Sequence, residues 1–192
     1  MPTIPFATTN PQKLELARAI CAQYGYDIES VKLEIDEIQG EEPEPIVTDK
    51  ARRAYELYGK PVVVSDDSWG IHALHGFPGA YMKSMNHWFT TEDFLRLMHG
   101  VQDRRVTLYQ YLAYFDGKSV KVFSTQLDGT IAEEPHGHDK KSPIIELVRL
   151  DHDNGKTIAE VFEQDAETFA KRYNDRREAW HELMDWYTRI DK

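Results

Sequence analysis

The chain has 192 residues, and its 33 acidic and 23 basic side chains give a formal net charge of −10 at pH 7. This length suits one domain with a substantial buried core, and we expect residues 1–192 to form a single domain. The excess of acid argues against binding to a nucleic acid polymer, which requires a basic face. No run approaches the roughly 18 apolar residues that a membrane span needs, so no membrane partner is expected.

Cysteine usage and the first residues indicate the compartment. Cys21 is the only cysteine, so the chain cannot form a disulfide or a thiolate metal cluster within itself. The first residues lack the basic start and apolar core of a signal peptide. We therefore expect a soluble cytoplasmic protein.

The first 60 residues predict an alternation of strands and helices. Residues 4–8 form a predicted strand, and Asn10-Pro11 then suits an N-cap followed by proline at the first helical position. The spacing of apolar residues predicts a helix to about residue 24, where Gly25 would end it. A second strand at 28–33, an acidic loop at 34–44 and a second helix at 46–58, closed by Gly59, follow.

The rest of the chain mixes strands, turns and short helices. An apolar run at 61–65 predicts a buried strand, which delivers Asp66 and Asp67 into a turn-rich stretch that extends to Tyr81. A short helix is expected from Thr91 to near Gly100. The clearest β-hairpin joins residues 106–115 to 118–127 through Asp116-Gly117, and a further strand is predicted at 143–150. The C-terminal segment carries an apolar helical face, which comprises Phe169, Tyr173, Trp180, Leu183, Met184 and Tyr187.

Three constellations suggest chemistry, and each has a structural alternative. The strand-to-helix junction at Thr8, Asn10 and Lys13 offers backbone N–H groups, hydroxyls and an ammonium to a phosphate, or is a plain N-cap with a solvated lysine. The Asp66-Asp67 pair would need a cation if buried, such as a divalent metal, or is a solvated turn. Glu37, in the acidic loop, could join Asp66 around Mg²⁺, or belongs to a solvated loop.

Several motifs in order along the chain resemble the inosine triphosphate pyrophosphatase family, whose members hydrolyse non-standard purine nucleoside triphosphates to the monophosphate and pyrophosphate. The resemblance extends from Thr8 to about Arg176 and is strongest over the first 85 residues. The matching segments are Thr8-x-Asn10-x-x-Lys13, Glu37-Ile38-Gln39-Gly40-Glu41, Lys50-Ala51, 61–68, Ala73-Leu74-x-Gly76-x-Pro78-Gly79-x-Tyr81-x-Lys83 and Lys156-Thr157-x-Ala159-Glu160.

The resemblance implies an elongated α/β fold with a central mixed β-sheet flanked by helices, two lobes and an active-site cleft between them. It also implies a homodimer and dependence on Mg²⁺, with Mn²⁺ as a possible substitute. Carried over by position, Glu37 and Asp66 would bind the metal, and Asp66 or Asp67 would orient or deprotonate the attacking water, with Lys13 also near the reaction. The residues implied in binding the nucleoside triphosphate are Thr8, Asn10, Lys13, Lys50, Ser68, Lys83 and Arg176.

The chain departs from the family pattern at two places. Alignment on the apolar run puts Ser65 where the first acid of the family belongs, so the acidic pair is displaced by one residue. The family's aromatic segment that stacks on the base should fall near residues 135–143, where this chain has no aromatic side chain. These departures leave an alternative open: a catalytically weakened relative that binds a nucleotide or a protein partner.

Overall fold

The structure is a computed structural model that describes residues 1–139, 141–164 and 177–190. The described residues form a mixed sheet of seven strands in the order β2-β1-β3-β5-β6-β7, with β4 beside β3. β1 pairs in parallel with β2 and β3, whereas β3–β4 and β6–β7 are antiparallel. The strands are β1 Thr3–Ala7, β2 Asp27–Val31, β3 Val62–Ile71, β4 Pro78–Gly79, β5 Arg105–Phe115, β6 Val120–Ile131 and β7 Val148–Leu150.

The predicted α/β class with a mixed sheet is confirmed by this topology. The α-helices in the described part of the chain are α1 Pro11–Gln23, α2 Pro43–Tyr58, α3 Met82–Trp88, α4 Thr91–Leu97, α5 Ile158–Phe162 and α6 Ala179–Ile190. No helix in these ranges is long and apolar enough to cross a membrane.

The chain divides into two compact units. The first comprises residues 1–66 and 110–125 with the described C-terminal residues 177–190. Its core contains small and β-branched side chains from β1, β3 and α2, of which Val47, Ala51, Val62 and Val64 are fully buried. α6 packs an aromatic ring on β1, since the centroids of Phe6 and Trp180 lie 4.9 Å apart in an edge-to-face arrangement. The predicted apolar face of the C-terminal segment is thus core for its described members.

The second unit comprises residues 67–109 and the described residues of 126–169. Its core is made mainly of branched aliphatic, methionine and aromatic side chains, with Ile71, Phe94, Met98, Ile144 and Leu147 among the most buried. Phe169 and Tyr173, which the sequence places on the apolar C-terminal face, lie outside the described residues.

Several predicted boundaries are confirmed. Asn10 caps α1, with its side-chain oxygen accepting hydrogen bonds from the backbone N–H groups of Gln12 and Lys13 at 2.9 and 3.4 Å. Gly59 ends α2 with φ of +76°, in the left-handed region that glycine enters without steric cost. The β5–β6 hairpin also forms around Asp116-Gly117, where the Asp116 carboxylate accepts two backbone hydrogen bonds from the turn.

The prediction that the strand ends at Ser65 was wrong. β3 lies between β1 and β5 and continues through Asp66 and Asp67 to Ile71, and near its end Trp69 stands opposite Gly79 of β4. Residues 70–81 therefore contain the end of β3, a short 3₁₀ helix and β4 rather than turns alone. The two acids lie in the middle of a strand, and both are half-buried.

Other elements differ from the sequence-based expectation. α2 begins at Pro43, three residues earlier than predicted, with proline in its first turn. The strand predicted over 143–150 is a 3₁₀ helix, Pro143–Glu146, followed by the short β7. α3 and α5 were not predicted; each is five to seven residues long, too short to show helical periodicity.

Burial makes the Cys21 thiol inert, and this can be tested. Cys21 is fully buried, and burial, with a smaller contribution from the negative charge of Asp27, raises the pKa of its thiol to about 12. Since the thiolate is the nucleophile, we expect a disulfide reagent at pH 8 to react far more slowly with the native protein than with the protein in urea. The reaction is followed by the absorbance of the released reagent thiol, and equal reaction rates in the two conditions would contradict the placement of α1 against the core.

Candidate functional site

The predicted site residues divide between the two units. Thr8, Asn10, Lys13, Glu37, Lys50 and Asp66 belong to the first unit, and Asp67, Ser68 and Lys83 belong to the second. Arg176, the remaining predicted substrate-binding residue, lies outside the described residues.

The strand-to-helix junction in the first unit is ordered by its own polar side chains. The Thr8 hydroxyl accepts a hydrogen bond from the Asn10 N–H at 3.1 Å, and Asn10 in turn caps α1. The backbone N–H groups of Asn10 and Gln12 are therefore already bonded within the junction. Asn10 is exposed while Thr8 and Lys13 are half-buried, so polar groups of this turn face solvent where a phosphate could reach them.

Glu37 and Lys50 form a close ion pair within this unit's predicted site. The Lys50 Nζ lies 2.6 Å from the Glu37 Oε1, and the two side chains are only 15% and 20% exposed. The same ammonium donates a hydrogen bond of 2.9 Å to the backbone carbonyl of Ser65. Lys50 thus connects the acidic loop to β3 at the residue directly before Asp66.

This three-way contact brings together two segments that the sequence placed at the site. Glu37 lies in the loop before α2, Lys50 on α2, and Ser65 next to Asp66 on β3. Sequence reasoning named Glu37 and Lys50 but missed their direct pairing and the role of the Ser65 carbonyl. No local sequence signal indicates the pairing, because the partners are 13 and 15 residues apart and belong to different elements.

The donor set is compatible with Mg²⁺. Among the described residues no group of three or more His, Cys, Asp or Glu side chains could hold a metal ion. The ligands predicted from the sequence are the carboxylates of Glu37 and Asp66. Mg²⁺ is commonly bound through one or two carboxylates plus substrate phosphates and water, and such a pair is sufficient for that arrangement. Glu37 offers a carboxylate that already holds a cation, the Lys50 ammonium.

In the second unit the strand β3 presents Asp67 and Ser68. Successive residues of a strand point to opposite faces, so Asp66 and Asp67 project to different faces of β3. Ser68 is buried, whereas Lys83 is exposed on α3. Relative to the family pattern the acidic pair is displaced by one residue along the strand. This displacement therefore determines which of the two carboxylates faces a given side of the sheet.

Residues 135–143 lack the aromatic ring that base stacking would need, and the described part of this segment is held by hydrogen bonds instead. The carboxylate of Glu146, 7% exposed, accepts bonds from the Thr91 hydroxyl and the Asp139 N–H at 2.7 and 2.8 Å. The His138 Nδ1 lies 3.0 Å from the same carboxylate. The Thr157 hydroxyl also donates to the His136 carbonyl at 2.7 Å.

Glu146 was missed by sequence reasoning as an organising residue. The sequence did contain a signal for its burial, because Glu146 directly follows the apolar residues 143–145, and a residue in that position is expected to be buried. A buried carboxylate is stable only if it is hydrogen-bonded or paired, and the three donors around Glu146 meet that requirement. The segment is thereby fixed to α4.

Taken together, these features describe an α/β protein with a polar strand-to-helix turn and a lysine that joins two acidic segments. Residues 4–186 match the model of the Ham1 family. A dITP/XTP pyrophosphatase of Methanopyrus kandleri is 36% identical over 135 residues, which cover 70% of this chain and 72% of that protein. A dITP/XTP pyrophosphatase of Methanosarcina acetivorans is 30% identical over 191 residues and 98% of each chain.

The fold is shared with solved structures of the same family. A HAM1 protein from Coxiella burnetii superimposes with a TM-score of 0.74 at 20% identity, over 98% of this chain and 100% of that one. The Staphylococcus aureus Ham1 protein gives a TM-score of 0.73 at 20% identity. The chain belongs to the Ham1 family, which confirms the resemblance seen in the motifs.

The Lys50 contact predicts a stability effect. Replacing Lys50 with methionine leaves the Glu37 carboxylate and the Ser65 carbonyl without their shared donor in a largely buried place. We expect Lys50→Met to lower the free energy of unfolding by about 1–3 kcal/mol, measured by urea denaturation. The exposed Lys32, changed to methionine, is the matched control and should alter it by less than about 0.5 kcal/mol. Equal effects of the two changes would contradict the structural role of Lys50.

Proposed function

We propose that this protein hydrolyses a nucleoside triphosphate to the nucleoside monophosphate and pyrophosphate. The proposal is supported by membership of the Ham1 family and by relatives named dITP/XTP pyrophosphatase. The observation that carries it is the contact of Lys50 with both Glu37 and the residue before Asp66, since it gathers acids and a cation from separate segments. Phosphoryl transfer requires such positioned charges more than covalent chemistry from the protein.

In this proposal each predicted residue contributes a defined chemical group to substrate binding. Thr8, Asn10 and Lys13 bind the triphosphate through hydroxyl, amide and ammonium groups. Lys50 and Lys83 offset its negative charge, which a chain of net charge −10 can do only locally. Ser68 and Arg176 complete the proposed substrate-binding set.

The hydrolytic step needs a positioned water and compensation of developing charge. Water adds at a phosphorus atom of the α–β anhydride, the bridging P–O bond breaks, and the two products leave as nucleoside monophosphate and pyrophosphate. Asp66, or Asp67 on the other face of β3, accepts the water proton. Glu37 and Asp66 are the proposed ligands of Mg²⁺ or Mn²⁺, which when bound neutralises phosphate charge and polarises the phosphoryl oxygens.

The acid that orients the water can be identified by substitution. We expect Asp66→Asn to reduce kcat for pyrophosphate release by roughly 10²-fold or more, because it removes a proton acceptor and a proposed metal ligand. Asp67→Asn should have a smaller effect. The assay is a product-resolved panel of nucleoside triphosphates that begins with dITP and XTP, with Mg²⁺ or Mn²⁺ present.

A matched control is available in the acidic loop. Asp36 is exposed and adjacent to Glu37, and Asp36→Asn should leave the rate within about twofold of the unmodified protein.

Absence of pyrophosphate across the whole panel would overturn the proposed hydrolysis. Thermal stabilisation by nucleotides in that case would favour the alternative of a binding protein without turnover. Orthophosphate in place of pyrophosphate would indicate a nucleotide phosphatase.

The metal role of Glu37 predicts a concentration effect. Glu37→Gln keeps the size of the side chain but removes one carboxylate from the proposed metal pair. We expect the Mg²⁺ concentration for half-maximal activity to rise roughly tenfold or more while activity recovers at high Mg²⁺. An unchanged Mg²⁺ dependence would show that Glu37 does not bind the metal.

A further inference from the structure

A second candidate binding site lies in the unit of residues 67–109 and 126–169. It is a cavity of about 640 Å³ where the start of β5, the end of β6 and β7 meet. Its volume is in the range of small-molecule sites. Its lining includes three arginines, Arg104, Arg105 and Arg149. Of the residues assigned above to the nucleoside triphosphate, none that the structure describes lines it.

Arg104 contributes a positive charge in a fixed position. Its guanidinium donates hydrogen bonds to the backbone carbonyls of Ile131 and Ala132 at 2.6 and 2.7 Å, and to that of Met98 at 3.3 Å. These acceptors orient the group but carry no formal charge. In the part of the chain that the structure describes, no carboxylate pairs with Arg104, so its charge remains to be matched.

Arg149 contributes a second positive charge and an unused donor. The charge acts on the carboxylate of Glu160, whose pKa lies below its usual value mainly because of its hydrogen bond with the Thr157 N–H, with a smaller contribution from Arg149. It stands opposite Thr130 in the antiparallel ladder between β6 and β7. Its Nε is shielded from solvent and has no hydrogen-bond acceptor among residues 1–139, 141–164 and 177–190. Native structures rarely leave a buried N–H without an acceptor, and charged donors are the costliest to leave so. The guanidinium of Arg149 therefore has spare hydrogen-bonding capacity beside the cavity.

The acidic side chains of the cavity limit what the ligand can be. Arg105 is already matched, because its Nε and Nη2 bind the Asp103 carboxylate at 2.9 and 2.7 Å. Glu133 and Glu134 also line the cavity but are exposed, where water screens their charge. These acids disfavour a long polyanion, and they can accept hydrogen bonds from hydroxyl or amine groups of a small ligand.

We propose that this cavity binds the phosphate group of a small phosphorylated molecule through Arg104 and Arg149. The planar guanidinium presents paired N–H donors that match phosphate oxygens, and the prepositioned Arg104 loses little further freedom on binding. His136, which also lines the cavity, and Thr130, opposite Arg149, add polar groups beside the pair.

The test follows phosphate binding at Arg149 directly. ¹⁵N-labelled protein is titrated with inorganic phosphate and with ribose 5-phosphate while the arginine Nε–Hε resonances are recorded by NMR. We expect the Arg149 resonance to shift with both probes. We also expect Arg149→Gln to raise the dissociation constant of the probes at the cavity roughly tenfold or more, measured from the chemical-shift changes of the Thr130 and Ala132 backbone amides. Asp66→Asn should leave this binding unchanged, which separates the cavity from the proposed hydrolytic site.

Two further variants keep the outcome decisive. Arg96→Gln removes an exposed arginine of the same unit that pairs with Asp93, and should bind the probes normally. Thr130→Asp places a carboxylate opposite Arg149 and should block binding while circular dichroism remains native; it decides the matter if Arg149→Gln does not fold. An Arg149 resonance that stays fixed across both titrations, or equal binding by a folded Thr130→Asp protein, would overturn the proposal.

Discussion

The candidate site depends on one partly buried ion pair. With the side chains of Lys50 and Glu37 only 15% and 20% exposed, each charge requires the other, since isolated charges are expensive to remove from water. The third contact, to the Ser65 carbonyl, attaches this pair to β3. The acidic loop before α2 is thereby held beside the strand that carries Asp66, although the chain as a whole has a large excess of negative charge. Without the ammonium, nothing in this contact would offset the Glu37 charge.

Elements with strong local signals were predictable from the sequence. Asn10 with Pro11, Gly59 and Asp116-Gly117 each specify a local backbone conformation, and the structure has a cap, a helix end and a hairpin turn at these places. The length of β3 was not predictable in this way. Asp66 and Asp67 have turn propensity, but β3 lies between β1 and β5 in the sheet, and it continues beyond the two acids to where Trp69 and Gly70 pair with β4. Tertiary pairing overrode the local preference.

The candidate site shows the same limit of sequence reasoning. Residue types indicated Glu37 and Asp66 as chemically suitable, whereas Lys50 and the missing aromatic ring at 135–143 were identified through the resemblance to the family. The Lys50–Glu37 pairing and the three donors around Glu146 arise from elements that meet only in the folded chain. A single sequence specifies such groups but not which of them touch. Burial next to an apolar run, as for Glu146, is the one signal that would have indicated an internal partner.

The Lys50–Glu37 contact also constrains how the proposed site can work. A carboxylate that pairs with lysine is less available to another cation, so under the proposed function Lys50 and the metal compete for Glu37. The triphosphate would resolve the competition, because its oxygens would give the ammonium a new partner while the carboxylate of Glu37 would be available to the metal. The charges of Glu37 and Lys50 would then be matched both before and after binding. Metal and nucleotide should consequently bind with positive cooperativity, since each removes the obstacle to the other.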